Sequence, residues 1–320
     1  AKLEIDRRLE NGELFLAPWE NGQRVICKRT LIDGATSKLY SIIRVLSEEG
    51  KKDLEALGLE SVFSYPKPIE LVSQLVRAAT CSGGGDIILD FFAGSGTTGH
   101  AVMVQNTVDA GNRRYVVVQL PESLDLENKD QKIAADFCDK LGKPRTIAEL
   151  TKERLRRAGK KIQEENPMFA GDLGFRAFKL DSSNIRAWEP DRDQLAETLK
   201  ESVEHLKIDR SEQDILFELL LKRGLDLCVP IETKLVLVGA NQSHKVHSIG
   251  GGSLLVCFSP AISQTDVEPV ALGLVAWHEE LKPAGETTVV FRDSAFADDV
   301  AKTNLTAILY QYGLKIVRSL

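Results

Sequence analysis

The segment Asp86–His100, which reads D-I-I-L-D-F-F-A-G-S-G-T-T-G-H, contains the residue types needed to hold a polar small molecule. An apolar run ends at Asp90, and Gly94 and Gly96 then lead into two threonines. This order predicts a strand that turns through glycines into a helix beginning near Thr97. Because glycine has no Cβ, a ligand can approach the backbone closely. The first turn of the helix presents unpaired N–H groups and the positive end of the helix dipole to that ligand.

Two classes of cofactor are compatible with these glycines. The spacing Gly94-x-Gly96-x-x-Gly99 fits the dinucleotide-binding fingerprint, which predicts a nicotinamide-dependent oxidoreductase. In that fold the first glycine normally follows the strand at once, whereas three residues separate Asp90 from Gly94 here. The dinucleotide interpretation also requires an acid at the end of the next strand and a catalytic substrate domain, and the sequence offers neither clearly.

The longer string resembles a signature of enzymes that transfer a methyl group to DNA. It is similar to the D-x-F-x-G-S-G-T-T motif of S-adenosylmethionine-dependent DNA amino-methyltransferases and consists of Asp90, Phe91, Phe92, Ala93, Gly94, Ser95, Gly96, Thr97 and Thr98. The resemblance implies that these residues bind S-adenosylmethionine. The alternative is a tight strand-to-helix turn that binds no ligand.

A second segment of this kind lies about twenty residues before the glycine turn. Lys67-Pro68-x-Glu70-Leu71 resembles the K-P-x-x-L segment that precedes the glycine motif in the same family. The resemblance implies that Lys67 and Pro68 help to hold the methionine end of the donor, and a lysine beside a helix N-terminus suits a carboxylate. The alternative is that Pro68 merely occupies the first position of a helix, beside a solvated lysine.

The end of the next predicted strand offers two candidates for a contact to the ribose of the donor. The family usually has an acid there, which accepts hydrogen bonds from the ribose hydroxyls, and a strict alignment places Gln119 at this point. A glutamine can bond a hydroxyl, but without the assistance of charge. Glu122, three residues on, is either the ribose ligand or a solvated acid at a helix entry. The choice between them stays open.

The motif with which these enzymes activate the target base does not occur in the sequence. It has the form (D/N/S)-P-P-(Y/F/W), and its aromatic residue stacks on the flipped base. The segment Asn166–Phe169 lacks the second proline and follows a long charged helix, so it predicts a helix-terminating turn. In the β order of the family, the catalytic motif comes first, followed by the target-recognition insertion, the lysine–proline segment and the glycine turn. We therefore expect the chain to begin within or after that insertion, and to contain no catalytic residue.

The motif order and the second half of the chain resemble the modification (Mod) subunit of type III restriction–modification systems. After residue 170 the resemblance is carried by Gly174–Asn184 and by Asp293–Asp299 with Lys302-Thr303-Asn304. It implies methylation of adenine N6 in double-stranded DNA, a Mod homodimer and a partner restriction (Res) subunit. The alternative is a non-catalytic assembly or DNA-binding module of the same complex.

Periodicity and turn signals predict an α/β protein in three parts. In residues 1–60 they predict short strands at 14–16, 25–27 and 39–43 and a helix at 47–57, and the resemblance implies that this part is the tail of the recognition insertion or a connector. In residues 61–170 they predict strands at 87–90 and 115–120 and helices at 68–80, 97–110, 128–141 and 146–165. The resemblance implies that this part is the S-adenosylmethionine-binding part of a partial Rossmann-like methyltransferase fold. Residues 171–320 form a smaller C-terminal α/β domain, with strands at 175–180, 233–238, 253–258, 286–292 and 314–318 and helices at 191–206, 212–223, 266–282 and 296–311.

Composition is that of a globular protein, with 43% hydrophobic and 28% charged residues among 320. A net charge of −6 counts against DNA binding through a broad basic surface but leaves room for a local patch. One helix carries a basic cluster, for which a solvated face is favoured over phosphate contacts: Arg154, Arg156, Arg157, Lys160 and Lys161.

Five widely spaced cysteines, without a C-x-x-C pair or zinc-ligand spacing, indicate reduced thiols in a cytoplasmic protein and no metal site. No apolar run approaches the length of about 18 residues that a membrane span requires.

Overall fold

The computed structural model describes residues 2–11, 14–18, 23–28, 42–186, 193, 206–239 and 242–320. The chain divides into two compact units, Ala1–Ala177 and Phe178–Leu320. Each unit combines helices with β-sheet, so the predicted α/β class is confirmed at this level. Nearly all of the helix predicted at 191–206, and residues 39–41 of a predicted strand, lie outside the described residues.

The first unit begins with a helix and a β-hairpin. Helix α1 (Lys2–Glu10) precedes β1 (Leu14–Pro18) and β2 (Arg24–Lys28), which pair antiparallel. Helix α2 (Glu49–Glu55) follows. The hairpin confirms the strands predicted at 14–16 and 25–27, and α2 confirms the helix predicted at 47–57. Helix α1 was not predicted, and Ile42 and Ile43 of the third predicted strand are not in a strand.

A βαβ unit forms the centre of the first unit. The strands β3 (Ile87–Asp90) and β4 (Arg114–Val117) pair in parallel, with Asp90 opposite Val117. The helix between them is α4 (Thr97–Asp109), and α3 (Ile69–Ala79) precedes β3. Helices α5 (Lys129–Lys140) and α6 (Ile147–Glu165) follow β4. All six elements were predicted.

The sheet of this unit corrects the prediction of a continuously buried strand at 115–120. Pairing ends at Val117, and the side chains alternate between a packed and an exposed face. Tyr115 and Val117 pack against the core, which also contains residues of α2, α4, α5 and α6. The other face is apolar and 47–62% exposed, and it comprises Ile87, Leu89, Val116, Val118 and Leu120. The run at 115–120 is therefore apolar because the side chains on both faces of the strand are apolar. Only one of these faces is covered by the described residues.

The pattern Thr146-x-x-Glu149 predicts a capping box at the start of α6, of which only half forms. The Thr146 hydroxyl accepts a hydrogen bond from the Glu149 N–H at 3.4 Å. The Glu149 carboxylate forms an ion pair with Lys152 instead of returning to the cap.

The second unit is built on a five-stranded mixed sheet. In spatial order its strands are β5 (Ile231–Leu237), β6 (Ser243–Ile249), β7 (Leu254–Cys257), β8 (Thr288–Phe291) and β9 (Ile316–Ser319). The pairs β5–β6 and β6–β7 are antiparallel, and β7–β8 and β8–β9 are parallel.

Helices cover both faces of this sheet. Helix α7 (Glu212–Lys222) packs with one hydrophobic cluster, and α8 (Val267–Leu281) and α9 (Asp299–Gln311) pack with the other. The sequence predicts Ser211 as the N-cap of α7. Ser211 and Asp214 form a complete capping box there, so the N-cap is confirmed.

One prediction for the second half of the chain was wrong, and one strand was not predicted. Residues 175–180 form no strand, since Phe175 packs against the core of the first unit while Leu180 is exposed. Strand β6 was missed because its buried positions include polar residues. His244 lies 3.5 Å from Asp266, and the Thr233 hydroxyl lies 3.0 Å from His247 Nδ1, so these partners accommodate the two buried imidazoles.

No helix in the described part of the chain is both long and apolar enough to cross a membrane.

The packing of α9 predicts a large cost for truncating a buried residue. Leu305 is fully buried in the second unit, so Leu305→Ala should reduce the free energy of unfolding by about 2–5 kcal/mol. Val300 lies on the same helix and is 59% exposed, so Val300→Ala should cost less than about 0.5 kcal/mol. Urea unfolding followed by circular dichroism measures both, and equal costs would contradict this packing.

Candidate functional site

The turn between β3 and α4 depends on two glycines with positive φ. Gly94 has φ 50° and Gly96, the N-cap of α4, has φ 77°. A side chain at Gly96 would also be crowded, because an added Cβ would lie 3.1 Å from Thr151 Cγ2. The chain therefore reverses direction here in a way that other residues adopt only with strain.

Asp90 closes this turn on itself. Its Oδ1 accepts a hydrogen bond from the Phe92 N–H at 3.0 Å, and its Oδ2 accepts one from the Thr98 hydroxyl at 2.6 Å. One carboxylate thus joins the end of β3 to the first turn of α4. The acid that ends the strand is a structural element of the turn as well as part of its cleft.

Gln119 holds the turn from the neighbouring strand. Its Oε1 accepts a hydrogen bond from the Gly94 N–H at 2.7 Å, and its Nε2 donates to the Leu120 carbonyl at 3.2 Å. Both ends of the amide are therefore engaged by backbone groups. Glu122 is exposed beyond the strand.

Helix α6 supports the turn from beneath. The Thr151 hydroxyl donates to the Gly94 carbonyl at 2.6 Å. Arg154 Nη1 lies 2.8 Å from both the Ser95 and Thr97 hydroxyls and 3.3 Å from the Ser95 carbonyl. These bonds join the turn to a helix more than fifty residues further along the chain.

The lysine–proline segment is joined to the same turn. The Thr97 hydroxyl donates to the Lys67 carbonyl at 3.1 Å. Pro68 is the N-cap of α3, not its first residue, which corrects the alternative considered for it. The Ile69 N–H at the start of α3 donates to Asp53 Oδ2 at 2.8 Å. Partial burial of Asp53 raises the pKa of its carboxyl group.

These segments enclose a cleft of about 380 Å³, which lies within the usual range of small-molecule sites, ~300–1,000 Å³. Eight of the predicted site residues line it: Lys67, Asp90, Phe92, Ala93, Gly94, Ser95, Thr97 and Thr98. The other five predicted residues do not line it: Pro68, Phe91, Gly96, Gln119 and Glu122. Four lining residues were not predicted: Phe63, Ser64, Tyr65 and Val72. Tyr65 and Phe92 are 91% and 79% exposed, so the cleft has aromatic surfaces open to a ligand.

Arg154 and Thr151 also contribute to the site and were not predicted from the sequence. Arg154 was assigned to a solvated basic face, but it is completely buried. The rest of that face behaves as predicted, with ion pairs to acids on the same helix at Arg156, Arg157, Lys160 and Lys161. The helical spacing contained a signal, because Leu150, Arg154 and Ala158 recur every four residues and share the buried stripe.

Among the described residues, no group of three or more His, Cys, Asp or Glu side chains could hold a metal ion.

Comparison with known proteins relates this region to DNA methylation. Residues 9–111, which contain both the lysine–proline segment and the glycine turn, match the family described as DNA methylase. The chain is 36% identical over 134 residues to the Mod subunit of the type III restriction-modification enzyme StyLTI of Salmonella typhimurium. It is 34% identical over 178 residues to the Mod subunit of EcoP15I of Escherichia coli. It is 30% identical over 111 residues to the type II methyltransferase M.KpnI of Klebsiella pneumoniae.

The alignments cover 42%, 55% and 34% of this chain and 19%, 24% and 24% of those three relatives, respectively. The chain thus matches about a quarter or less of the length of each. The resemblance to type III Mod subunits is confirmed by these matches.

The geometry of Gly96 predicts a larger stability loss than its φ angle alone explains. Gly96→Ala combines the left-handed backbone with the Thr151 contact, and should cost about 2–4 kcal/mol in unfolding free energy. Gly142 is a matched control, with φ 62° and open space around an added Cβ, so Gly142→Ala should cost about 1–2 kcal/mol. Chemical denaturation of both variants checks this difference, and an equal loss would show that the Thr151 contact is unimportant.

Proposed function

We propose that this chain supplies the S-adenosylmethionine-binding part of a DNA methyltransferase of the type III Mod class. The intact protein would methylate adenine N6 at a specific site in double-stranded DNA. One observation carries the proposal: the string from Asp90 to Thr98 forms a left-handed glycine turn at the wall of a cleft, in a region that matches the DNA methylase family.

The residues around the cleft fit this cofactor. S-adenosylmethionine, when bound, supplies an electrophilic methyl group. Lys67 and the N-terminus of α4 provide positive potential for the carboxylate of its methionine end. The exposed rings of Tyr65 and Phe92 offer flat apolar surfaces that suit a purine. Gly94 lines the cleft and has no Cβ, so a ligand can approach its backbone closely.

The thirteen predicted site residues have different roles in this proposal. Those that line the cleft contact the donor, and Pro68, Phe91 and Gly96 shape the backbone that carries them. Gln119 acts by holding the Gly94 N–H, with both ends of its amide engaged. Glu122 is therefore the candidate of the two for a ribose hydroxyl.

The uncovered sheet face supports a larger methyltransferase domain. Parallel sheets are normally buried on both faces, whereas the face that contains Ile87, Leu89 and Val116 is apolar and open. We infer that β3 and β4 belong to a Rossmann-like sheet completed by a part of the protein beyond this chain. That part would carry the catalytic motif and hold the flipped base.

The three predicted parts keep their assignments as proposals. Residues 1–60 would end the recognition insertion or connect it, residues 61–170 would bind the donor, and residues 171–320 would form the C-terminal domain. Since two of the relatives are named as Mod subunits of type III enzymes, we propose that this last domain serves a Mod homodimer or association with a Res subunit.

Replacing Asp90 tests the donor site. Asp90→Ala removes the acceptor of two hydrogen bonds that close the turn, so the affinity for S-adenosylmethionine should fall at least about tenfold. Asp86 is the matched control, because it precedes the same strand and its carboxylate accepts a hydrogen bond from the Cys81 N–H. Asp86→Ala should leave the affinity within about twofold, a change well below one hydrogen bond. Isothermal titration calorimetry measures these affinities. An absence of binding to the unsubstituted chain would instead favour the assembly module.

The absence of the catalytic motif from the sequence predicts that the 320-residue chain does not methylate DNA by itself. Incubation with tritiated S-adenosylmethionine and unmethylated DNA should incorporate no label above background. Incorporation that is abolished by Asp90→Ala would show that the chain contains a complete active site, and would overturn this division of roles.

A further inference from the structure

Arg154 is the largest of the fully buried side chains in the described part of the protein. It extends from α6 to the underside of the glycine turn, where Nη1 bonds Ser95 and Thr97. The same Thr97 hydroxyl donates to the Lys67 carbonyl. One guanidinium therefore lies next to residues that line the cleft and touches the point where the turn meets the lysine–proline segment.

The charge of this guanidinium is poorly compensated. All three of its hydrogen-bond acceptors are uncharged, and its Nε and Nη2 atoms have no acceptor among the described residues. Burial lowers the pKa of Arg154 to about 10, while Asp53 favours the charged form, so the group is still protonated at neutral pH. The Asp53 carboxylate already accepts a hydrogen bond from the Ile69 N–H.

Other neighbours do not offset this charge. Burial lowers the pKa of His100 to about 3, and Arg154 and Lys161 contribute to the same effect, so the imidazole is neutral. Burying a charge without a close counter-ion costs several kcal/mol in free energy. An anion bound in the adjacent cleft would reduce that cost, and Lys67 and the N-terminus of α4 favour an anion at the same place.

We propose that Arg154 is a positioning residue of the donor site, with two effects. Its hydrogen bonds fix Ser95 and Thr97, and its positive charge makes the cleft selective for ligands that carry a carboxylate beside the turn. This inference rests on the proposed function and adds the residue that sets the preference for the amino-acid end of the donor.

The test compares two nucleosides that differ in that end. S-adenosylhomocysteine carries the amino-acid carboxylate, and 5′-methylthioadenosine lacks the amino-acid group. Calorimetric titration of each into the 320-residue chain gives the ratio of the affinity for S-adenosylhomocysteine to the affinity for 5′-methylthioadenosine. Arg154→Gln keeps hydrogen-bond donors but removes the charge, so the ratio should fall about tenfold, as expected for a unit charge acting over several ångströms. Arg154→Lys keeps the charge and should retain the ratio within about threefold, since the point charge is preserved.

The matched control is Arg157→Gln, because Arg157 lies about one turn along the same helix and bonds Glu153 and the carbonyls of Leu57 and Gly58, none of which lines the cleft. Its ratio should equal that of the unsubstituted chain. If Arg154 only maintained the shape of the turn, its substitution would lower the affinity for both nucleosides equally and leave their affinity ratio unchanged. The ratio therefore separates an effect of the charge from a structural role.

The affinity ratios can contradict the inference in two ways. An unchanged ratio in Arg154→Gln overturns the inference while leaving the proposed function intact. A lost ratio in Arg154→Lys also overturns it, and this holds even if Arg154→Gln does not fold. If the unsubstituted chain binds neither nucleoside, the proposed function fails and the inference fails with it.

Discussion

The candidate site depends on the attachment of the glycine turn to α6. The turn is closed internally by the two hydrogen bonds to Asp90 and by the Gly96 N–H, which donates to the Ala93 carbonyl at 2.7 Å. Here Thr151 holds the Gly94 carbonyl and Arg154 holds Ser95 and Thr97. A helix from a later part of the chain thus adds hydrogen bonds to those that the turn forms with Asp90 and Gln119.

A second constraint is the two-stranded parallel sheet. Its packed face joins the core of the first unit, and its other face is apolar and open. In open parallel sheets, ligands bind at the carboxyl ends of the strands. The strand that ends at Asp90 therefore also contributes to this open face. The cleft and the open apolar face are thus two consequences of one strand pair.

Much of the site could be predicted from sequence, because local rules govern it. The apolar run into Asp90, the glycines and the threonines sufficed to predict a strand, a turn and a helix, and eight of the residues proposed from the sequence line the cleft. Contacts between distant segments could not be predicted in this way. Arg154 looked like one member of a basic face, because its neighbours Arg156 and Arg157 are charged and paired at the surface. Only its helical spacing with Leu150 and Ala158 indicated a buried position. Strand β6 was missed for a related reason, since its buried histidines interrupt the apolar pattern that marks a strand.

The central claim is that the glycine turn binds a methyl donor and not a dinucleotide. A thermal-shift comparison of the 320-residue chain with S-adenosylmethionine and with NAD tests it most directly, because a ligand raises the melting temperature only by binding the folded state. The account predicts a concentration-dependent rise with S-adenosylmethionine and none with NAD. A rise with NAD and none with S-adenosylmethionine would contradict it.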